Sequence, residues 1–417
     1  MKLSYTLNKN FIFIFLFIFL NQSCAYLINV DYVKFLNIAI NDWILLFDIA
    51  VFILLCLKGY KLPTPKYNFK SCIIMMLFIS VISSIMAFVN FGQPFMLGFR
   101  SHRTILIAFF MYFPIYKLMY NGKIKKEEVM NAIKLYIVFS LCLYFIQFFL
   151  SKNKIYFLKV YIGTRYGNDR FYFDPLLMIF YYLYSLNEIL NNKRASKKTF
   201  LICIFILLEI LIVQNYRLAF LGLGVVTLIG VLFSNITKLK KISFILLIFV
   251  MGLVFAFFTQ TGRDLTNIVF NGGLFSQSTM NIRSSGKRYY LNELKGHYLL
   301  GKGYPNNSNY EYAKVVTGAQ YQYYLADNGI VGFFFIYGFV GIFWFLFTIN
   351  KIYNYGRKLK KNKMQISYVL FVYYLLVVCI NEIHWYWGTG PFVILLVFVL
   401  ENIELNELNI SKKGVKA

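Results

Sequence analysis

Apolar runs dominate the chain, and their spacing predicts a helical membrane protein. Twelve runs are long enough to span a bilayer, or nearly so: residues 11–30, 35–57, 71–91, 103–120, 130–150, 172–190, 199–215, 217–236, 242–260, 323–348, 366–383 and 389–405. Between them lie short polar joints and one long polar insert, residues 261–322. The expected organisation is therefore transmembrane helices 1–9 within residues 1–260, a long outer-face loop with short helices over 261–322, and transmembrane helices 10–12 plus a tail over 323–417. Met1, Lys2 and Lys9 precede the first run as they would in a signal peptide, but Gln22 fits a processing site poorly. An uncleaved first helix is expected.

The joints set the orientation. Basic residues gather after alternate runs, at Lys58, Lys61, Lys66 and Lys70, at Lys117, Lys123, Lys125 and Lys126, at Lys193, Arg194, Lys197 and Lys198, at Lys238, Lys240 and Lys241, from Lys351 to Lys363, and at Lys412, Lys413 and Lys416. Placing those joints in the cytoplasm puts both termini inside and leaves no odd run over. A plasma or inner membrane is the expected location.

Composition agrees. Of 417 residues, 59% are hydrophobic, 20% aromatic and only 14% charged, which no soluble domain matches. A formal charge of +26 would suggest nucleic acid in a soluble protein. Here the cations sit between apolar runs, so membrane lipids and orientation account for them and no nucleic-acid partner is expected. The six cysteines mostly fall within apolar runs and lack metal-ligand spacing.

Arginine breaks the pattern that lysine follows. With the lysine joints inside, eight of ten arginines lie outside: Arg100, Arg103, Arg165, Arg170, Arg217, Arg263, Arg283 and Arg288. A guanidinium grips phosphate through two parallel donors and cannot be titrated away. The set suggests a phosphate-bearing ligand at the outer face; the plainer alternative is a collection of polar loop residues and structural ion pairs. Arg217 is the most informative, because it interrupts two apolar runs by only a few residues. A charge in so short a break must face a wet cavity or a partner.

In the long insert, Ser284-Ser285-Gly286 signals a turn, and residues 287–295 suit a short helix closed by Gly296. That helix carries Arg288 and Asn292 one turn apart, with Glu293 beside them. Gly301-Lys302-Gly303, before Pro305, is a tight turn that exposes backbone.

Two features together resemble the O-antigen polymerase and ligase superfamily of membrane glycosyltransferases. One is an arginine, Arg217, at the start of an outer-face run; the other is a late outer loop with an arginine helix, a Gly-x-Gly turn and a following glycine-rich helix. Ligases carry a His-Asn pair there; this chain has Asp327-Asn328, followed by Gly338 and Gly341 at similar distances. That departure points towards a Wzy-type polymerase. A second register would pair Gly329 and Gly332 with Gly318.

The resemblance implies an all-α, GT-C-like enzyme that joins oligosaccharide repeat units carried on polyprenyl pyrophosphate into a surface polysaccharide, an O-antigen or capsule. The reaction would be metal-independent and inverting, with no cofactor. Flippase and chain-length regulator proteins would be its partners. Arg217 and Arg288 would stabilise the departing pyrophosphate, with Arg165, Arg170 and Arg283 binding it. Asp327, Glu293 and His297 are candidates to receive the acceptor's proton, in that order, although His297 also fits a plain turn at a helix end. Tyr289 and Tyr290 could stack on sugar rings. A ligase, or a lipid-oligosaccharide flippase or transporter, is the alternative, although no internal repeat of the kind transporters show is visible. There is no P-loop and no HExxH spacing. Trp385 and Trp387 beside His384 fit an interfacial aromatic belt.

Overall fold

The computed structural model describes residues 9–414, apart from 31–32, 166–167, 192–195, 235, 240, 244, 247–249, 251, 254–262, 264–277, 307, 319–322, 362–364 and 384–387. The expected run 242–260, most of the insert before Ser278, Arg194, and the His384–Trp387 cluster therefore fall largely or wholly outside the described residues.

What is described is overwhelmingly helical. The first half contains α1 (Lys9–Asn21), α2 (Ile40–Gly59), α3 (Lys70–Phe91), α4 (Phe95–Ser101), α5 (Arg103–Phe110), α6 (Tyr112–Tyr120), α7 (Lys126–Ser151), α8 (Leu176–Asn191), α9 (Lys197–Leu208) and α10 (Arg217–Phe233). The second half contains α11 (Ser278–Glu293), α12 (Tyr310–Thr317), α13 (Gly329–Lys361), α14 (Ser367–Val378) and α15 (Gly390–Gly414). Two small antiparallel hairpins complete it: β1 (Lys34–Phe35) with β2 (Ile38–Ala39), and β3 (Ile162–Arg165) with β4 (Asn168–Phe171).

Among the described residues, four helical segments are long and apolar enough to cross a membrane: Ile40–Gly59, Lys70–Phe91, Lys126–Ser151 and Leu325–Lys361. Their outward faces carry exposed Leu46, Leu54, Phe78, Phe149 and Phe343, a surface suited to lipid. Shorter apolar helices stand where several other runs were expected, and the reasons are local. Run 11–30 stops at Asn21, whose amide turns back to Phe17 O at 3.1 Å and across to Asp48 Oδ1 at 3.0 Å. Run 103–120 breaks at Met111, because Pro114 has no N–H to return to the carbonyl of Phe110. Run 199–215 ends in a π-turn, Glu209–Val213, ahead of Arg217.

α15 lies at the centre. Its residues Phe392–Leu400 are buried on every side, as expected of a helix that is apolar all round. It packs against α5, α6, α8 and α13. α13 is the spine beside it, contacting α3, α11 and α14 as well.

α13 is broken at Gly338, where φ is +60° and ψ −159°. The break frees backbone groups in a buried setting, and the Gly-Lys-Gly turn fills it. Lys302 N–H donates to Phe335 O at 2.8 Å and Gly303 N–H to Ile336 O at 3.0 Å. In return Phe339 N–H reaches Tyr298 O at 2.8 Å and Val340 N–H reaches Leu299 O at 3.2 Å. The turn does expose backbone, as its sequence implies, but the backbone it serves is that of α13. Its other side meets α3: a Cβ on Gly303 would sit 2.3 Å from Ala87 N.

The insert also departs from its expected local structure. α11 runs unbroken through Ser284-Ser285-Gly286 rather than starting after it. Gly286 is there for packing: a Cβ would come within 3.1 Å of the Asn328 amide and 3.3 Å of Tyr323. Gly296 follows the helix at φ +81°, as expected of its closing residue.

The glycines of the turn thus separate two costs. Gly301 has φ +73°, and an added Cβ would lie 2.5 Å from Ile336 O, whereas Gly296 has open space around it. Gly296→Ala should cost only the left-handed penalty, about 1–2 kcal/mol. Gly301→Ala adds a clash with backbone worth about 1–3 kcal/mol more. Thermal unfolding of the two purified variants should rank Gly301→Ala clearly below Gly296→Ala; equal midpoints would mean that the turn does not seat in the break.

Candidate functional site

A cavity of about 470 Å³ opens where α13 and α15 begin, next to Gly388. Each of its polar side chains is placed by a separate element. β4 supplies Arg170, which faces Gly163 across the hairpin. The turn entering α10 supplies Gln214 and Tyr216; α11 supplies Arg283; a 3₁₀ turn, Leu325–Asn328, supplies Asp327; and the connection after α14 supplies Glu382.

Arg170 is held tightly. Its Nε donates to Gln214 O at 2.9 Å, its Nη1 donates to the Tyr172 hydroxyl at 3.1 Å, and its guanidinium lies 4.2 Å from the centre of that ring. One edge is thus occupied by protein, and the plane is fixed relative to the cavity. Arg283 Nη2 lies 3.6 Å from Asp327 Oδ1, both partly exposed, a loose pair of little worth to stability. Two guanidinium groups and the carboxylates of Asp174, Asp327 and Glu382 thus share one cavity wall.

Glu382 accepts a hydrogen bond from the Tyr216 hydroxyl. Burial pushes its carboxyl up to about 8; the nearby Asp174 adds to the rise and Arg170 opposes it. Asp174 is itself engaged, accepting from Leu176 N at 3.0 Å and from the Thr389 hydroxyl.

The other predicted residues fall in several places. Arg217 heads α10 beside Tyr216, with its Nε and Nη2 out of solvent. A cation at a helix N-terminus works against the helix dipole, so its position there is not explained by helix stability. Arg165 ends β3, on the same hairpin as Arg170. Arg288 is exposed on α11 and does not line the cavity; five residues beyond Arg283, it points about 140° away around the helix. The residue that shares the face of Arg283 is Lys287, bonded to Asn381 Oδ1 at 2.8 Å. Glu293 and His297 also lie outside the cavity lining. His297 sits in the turn after α11, where Gly301 N–H bonds its carbonyl at 2.8 Å. The tyrosines expected to stack on sugars have structural work instead. Tyr289 and Tyr290 donate to Val315 O and Val316 O at 2.7 and 2.6 Å, which pins α12 to α11, and Tyr290 is fully buried. Arg100 and Arg103 both pair with Asp42, as the plainer alternative holds for these two.

Glu382 and Asp174 were missed by sequence reasoning. A signal was present: Glu382 is the only acidic residue between Asp327 and Glu401. No family model matches this chain, and no curated protein matches it.

The raised carboxyl of Glu382 has a consequence for stability. In the unfolded chain it would titrate near 4.5, and in the folded protein near 8. Between those values the folded state holds a proton that the unfolded state has lost, so this group's contribution declines as pH rises through that window. The melting temperature of the wild type should fall relative to Glu382→Gln between about pH 5 and 8, on the order of a few degrees. Parallel pH profiles would show that Glu382 is not shifted.

Proposed function

We propose that this chain is a membrane glycosyltransferase of the polymerase kind, extending a glycan carried on polyprenyl pyrophosphate, with the cavity around Arg170, Arg283, Asp327 and Glu382 as its reaction site. The observation that carries this reading is the mixture in that cavity: guanidinium groups suited to a pyrophosphate, Arg170 held in place by Gln214 and Tyr172, beside a carboxyl suited to a hydroxyl.

The chemistry follows from those groups. The acceptor hydroxyl oxygen attacks the anomeric carbon of the donor and forms the new glycosidic bond. The bond from that carbon to the pyrophosphate oxygen breaks, and both electrons leave with the lipid pyrophosphate. Glu382, half ionised near pH 8, takes the hydroxyl proton; a carboxyl tuned close to the working pH is a better acceptor than one at 4.5. Arg170 and Arg283 meet the charge that develops on the leaving group, and Arg217 supports it from the head of α10. In this reading the lysine-rich ends face the cytoplasm and the cavity faces the other side.

Two experiments test it. For orientation, a single cysteine at Asp327→Cys should react with an impermeant reagent from outside intact cells, and one at Lys361→Cys only after permeabilisation; the reverse pattern would end this reading.

For chemistry, purified protein with lipid-linked oligosaccharide should give longer lipid-linked glycan. Arg170→Lys, Arg217→Lys and Arg283→Lys keep the charge but lose the paired donors, and each should slow extension by about 10²–10³. Arg288→Lys and Arg100→Lys should stay near wild type. Transfer to a separate lipid core would instead make the chain a ligase, and translocation without change would make it a flippase. Full activity of all three of these Lys variants would remove the arginines from the mechanism.

A further inference from the structure

A second cavity, of about 590 Å³, lies at the other end of α13 and α15, on the lysine-rich face. Lys358 and Lys361 reach it from the last turn of α13 and Lys66 from the loop before α3, while Tyr116 and Tyr120 line it from α6. Basic residues at a helix C-terminus complement the dipole and satisfy the orientation rule, so the lysines by themselves need no ligand.

The amides are harder to explain that way. Asn402, Asn406 and Asn409 stand at i, i+4 and i+7 on α15 and all line this cavity, within about 60° of one another around the helix. The same stretch carries Glu401, Glu404 and Glu407, turned to the other side. Glu404 pairs with Lys126 at 2.9 Å and accepts from the Tyr184 hydroxyl at 3.2 Å, and Glu407 approaches Lys126 at 3.8 Å. One helix thus sorts its amides towards the cavity and its carboxylates away from it. None of the residues lining the cavity is acidic.

The floor is built rather than incidental. Asn402 is buried and donates to the Tyr112 hydroxyl at 2.6 Å, while its own oxygen accepts from the Asn68 amide. The backbone carbonyl of Asn68 in turn accepts from Lys351 Nζ at 3.0 Å. A rigid amide floor under three lysines, with no counter-charge in the wall, suits a multiply charged anion with oxygen acceptors.

We propose that this cavity is a binding site for a phosphate-bearing anion, separate from the arginine cavity and independent of the function proposed for that cavity. The ligand is either the headgroup of an anionic lipid entering from the membrane or a free polyphosphate from solution. Lysines attract the charge as mobile point donors, and the asparagine amides hydrogen-bond phosphate oxygens without neutralising them.

The test uses the full chain in nanodiscs, with inorganic pyrophosphate as the soluble probe and phosphatidylglycerol as the lipid probe. In neutral-lipid nanodiscs, calorimetric titration with pyrophosphate reads the soluble arm. The lipid arm reads phosphatidylglycerol enriched around protein purified from mixed bilayers. Binding in either arm should weaken with salt. A Lys66→Gln/Lys358→Gln/Lys361→Gln variant should lose about fivefold per lysine, on the order of a hundredfold in all. Asn406→Leu should weaken binding with every charge intact, which a diffuse surface potential would not produce. Lys238→Gln/Lys241→Gln, which removes two positive charges elsewhere on the lysine-rich face, should change nothing.

Pyrophosphate binding with these responses names a soluble polyphosphate; lipid enrichment with these responses names a headgroup. No binding in either arm overturns the proposal. So does an equal loss in the triple variant and the Lys238/Lys241 control, which would mean that the lysine face attracts anions only as a surface.

Discussion

The repair of a broken helix holds the described part of this molecule together. Phe335 and Ile336 are fully buried, and the turn at Gly338 takes their carbonyls out of the helical ladder. A backbone group without a partner in an apolar interior costs several kcal/mol. The turn at residues 298–303 answers four such groups at once, two as donor and two as acceptor. Only glycine permits the approach, since a Cβ on Gly301 or Gly338 would lie about 2.5 Å from the facing backbone. Once that turn is seated, the rest of the insert is anchored near it. Tyr304 O and Asn306 N bond Gln93 at 2.9 Å, which ties the insert to the end of α3. α11 packs along α13, which sets Arg283 over the cavity where Asp327 begins the approach to α13. A site built on a long polar insert would otherwise have no fixed geometry.

Hydropathy made the class of the protein legible but not the lengths of its elements. An apolar run reports burial or lipid, and it does not say whether a helix continues through it. Residues 103–120 look like one span until Pro114 is counted as a missing donor, and residues 11–30 until Asn21 is seen to turn its amide back on the helix. In the insert the error ran the other way. Ser284-Ser285-Gly286 is a good turn by composition, yet the helix continues through it, because Gly286 gives the Asn328 amide room to approach. Turn propensity is local, and a glycine can equally mark a close contact.

The site was half visible for a related reason. Arginine against the run of lysine drew attention to the face on which Arg170 and Arg283 line one cavity. Choosing among arginines needed the full length of α11: a helix starting at Lys287 leaves Arg283 off it and favoured Arg288, whereas the observed helix carries Arg283 and Lys287 on one face. Arg100 and Arg103 could be set aside only once Asp42 was seen beside them. Glu382 escaped because it ends an apolar run, where a lone acid looks like a helix boundary. Its meaning comes from Tyr216 and Asp174, which are 166 and 208 residues away in sequence.

The two cavities stand at opposite ends of α13 and α15, and what lies between them bears on the rival readings. A carrier that moves a charged lipid headgroup across the membrane needs polar groups along its path, commonly at helices broken near the middle. α13 is broken, but its freed backbone groups are taken up by the Gly-Lys-Gly turn and do not face an open space. α15 presents only apolar side chains from Phe392 to Leu400, all of them buried. Neither central helix offers a charged ligand a route between the ends. The chemistry of the ends differs too: planar donors and carboxyls at one, point charges and amides at the other. A translocation pathway would be expected to handle one headgroup with similar groups along its length. Unlike ends, joined by a central helix that is apolar from Phe392 to Leu400, weigh against one headgroup passing from one cavity to the other.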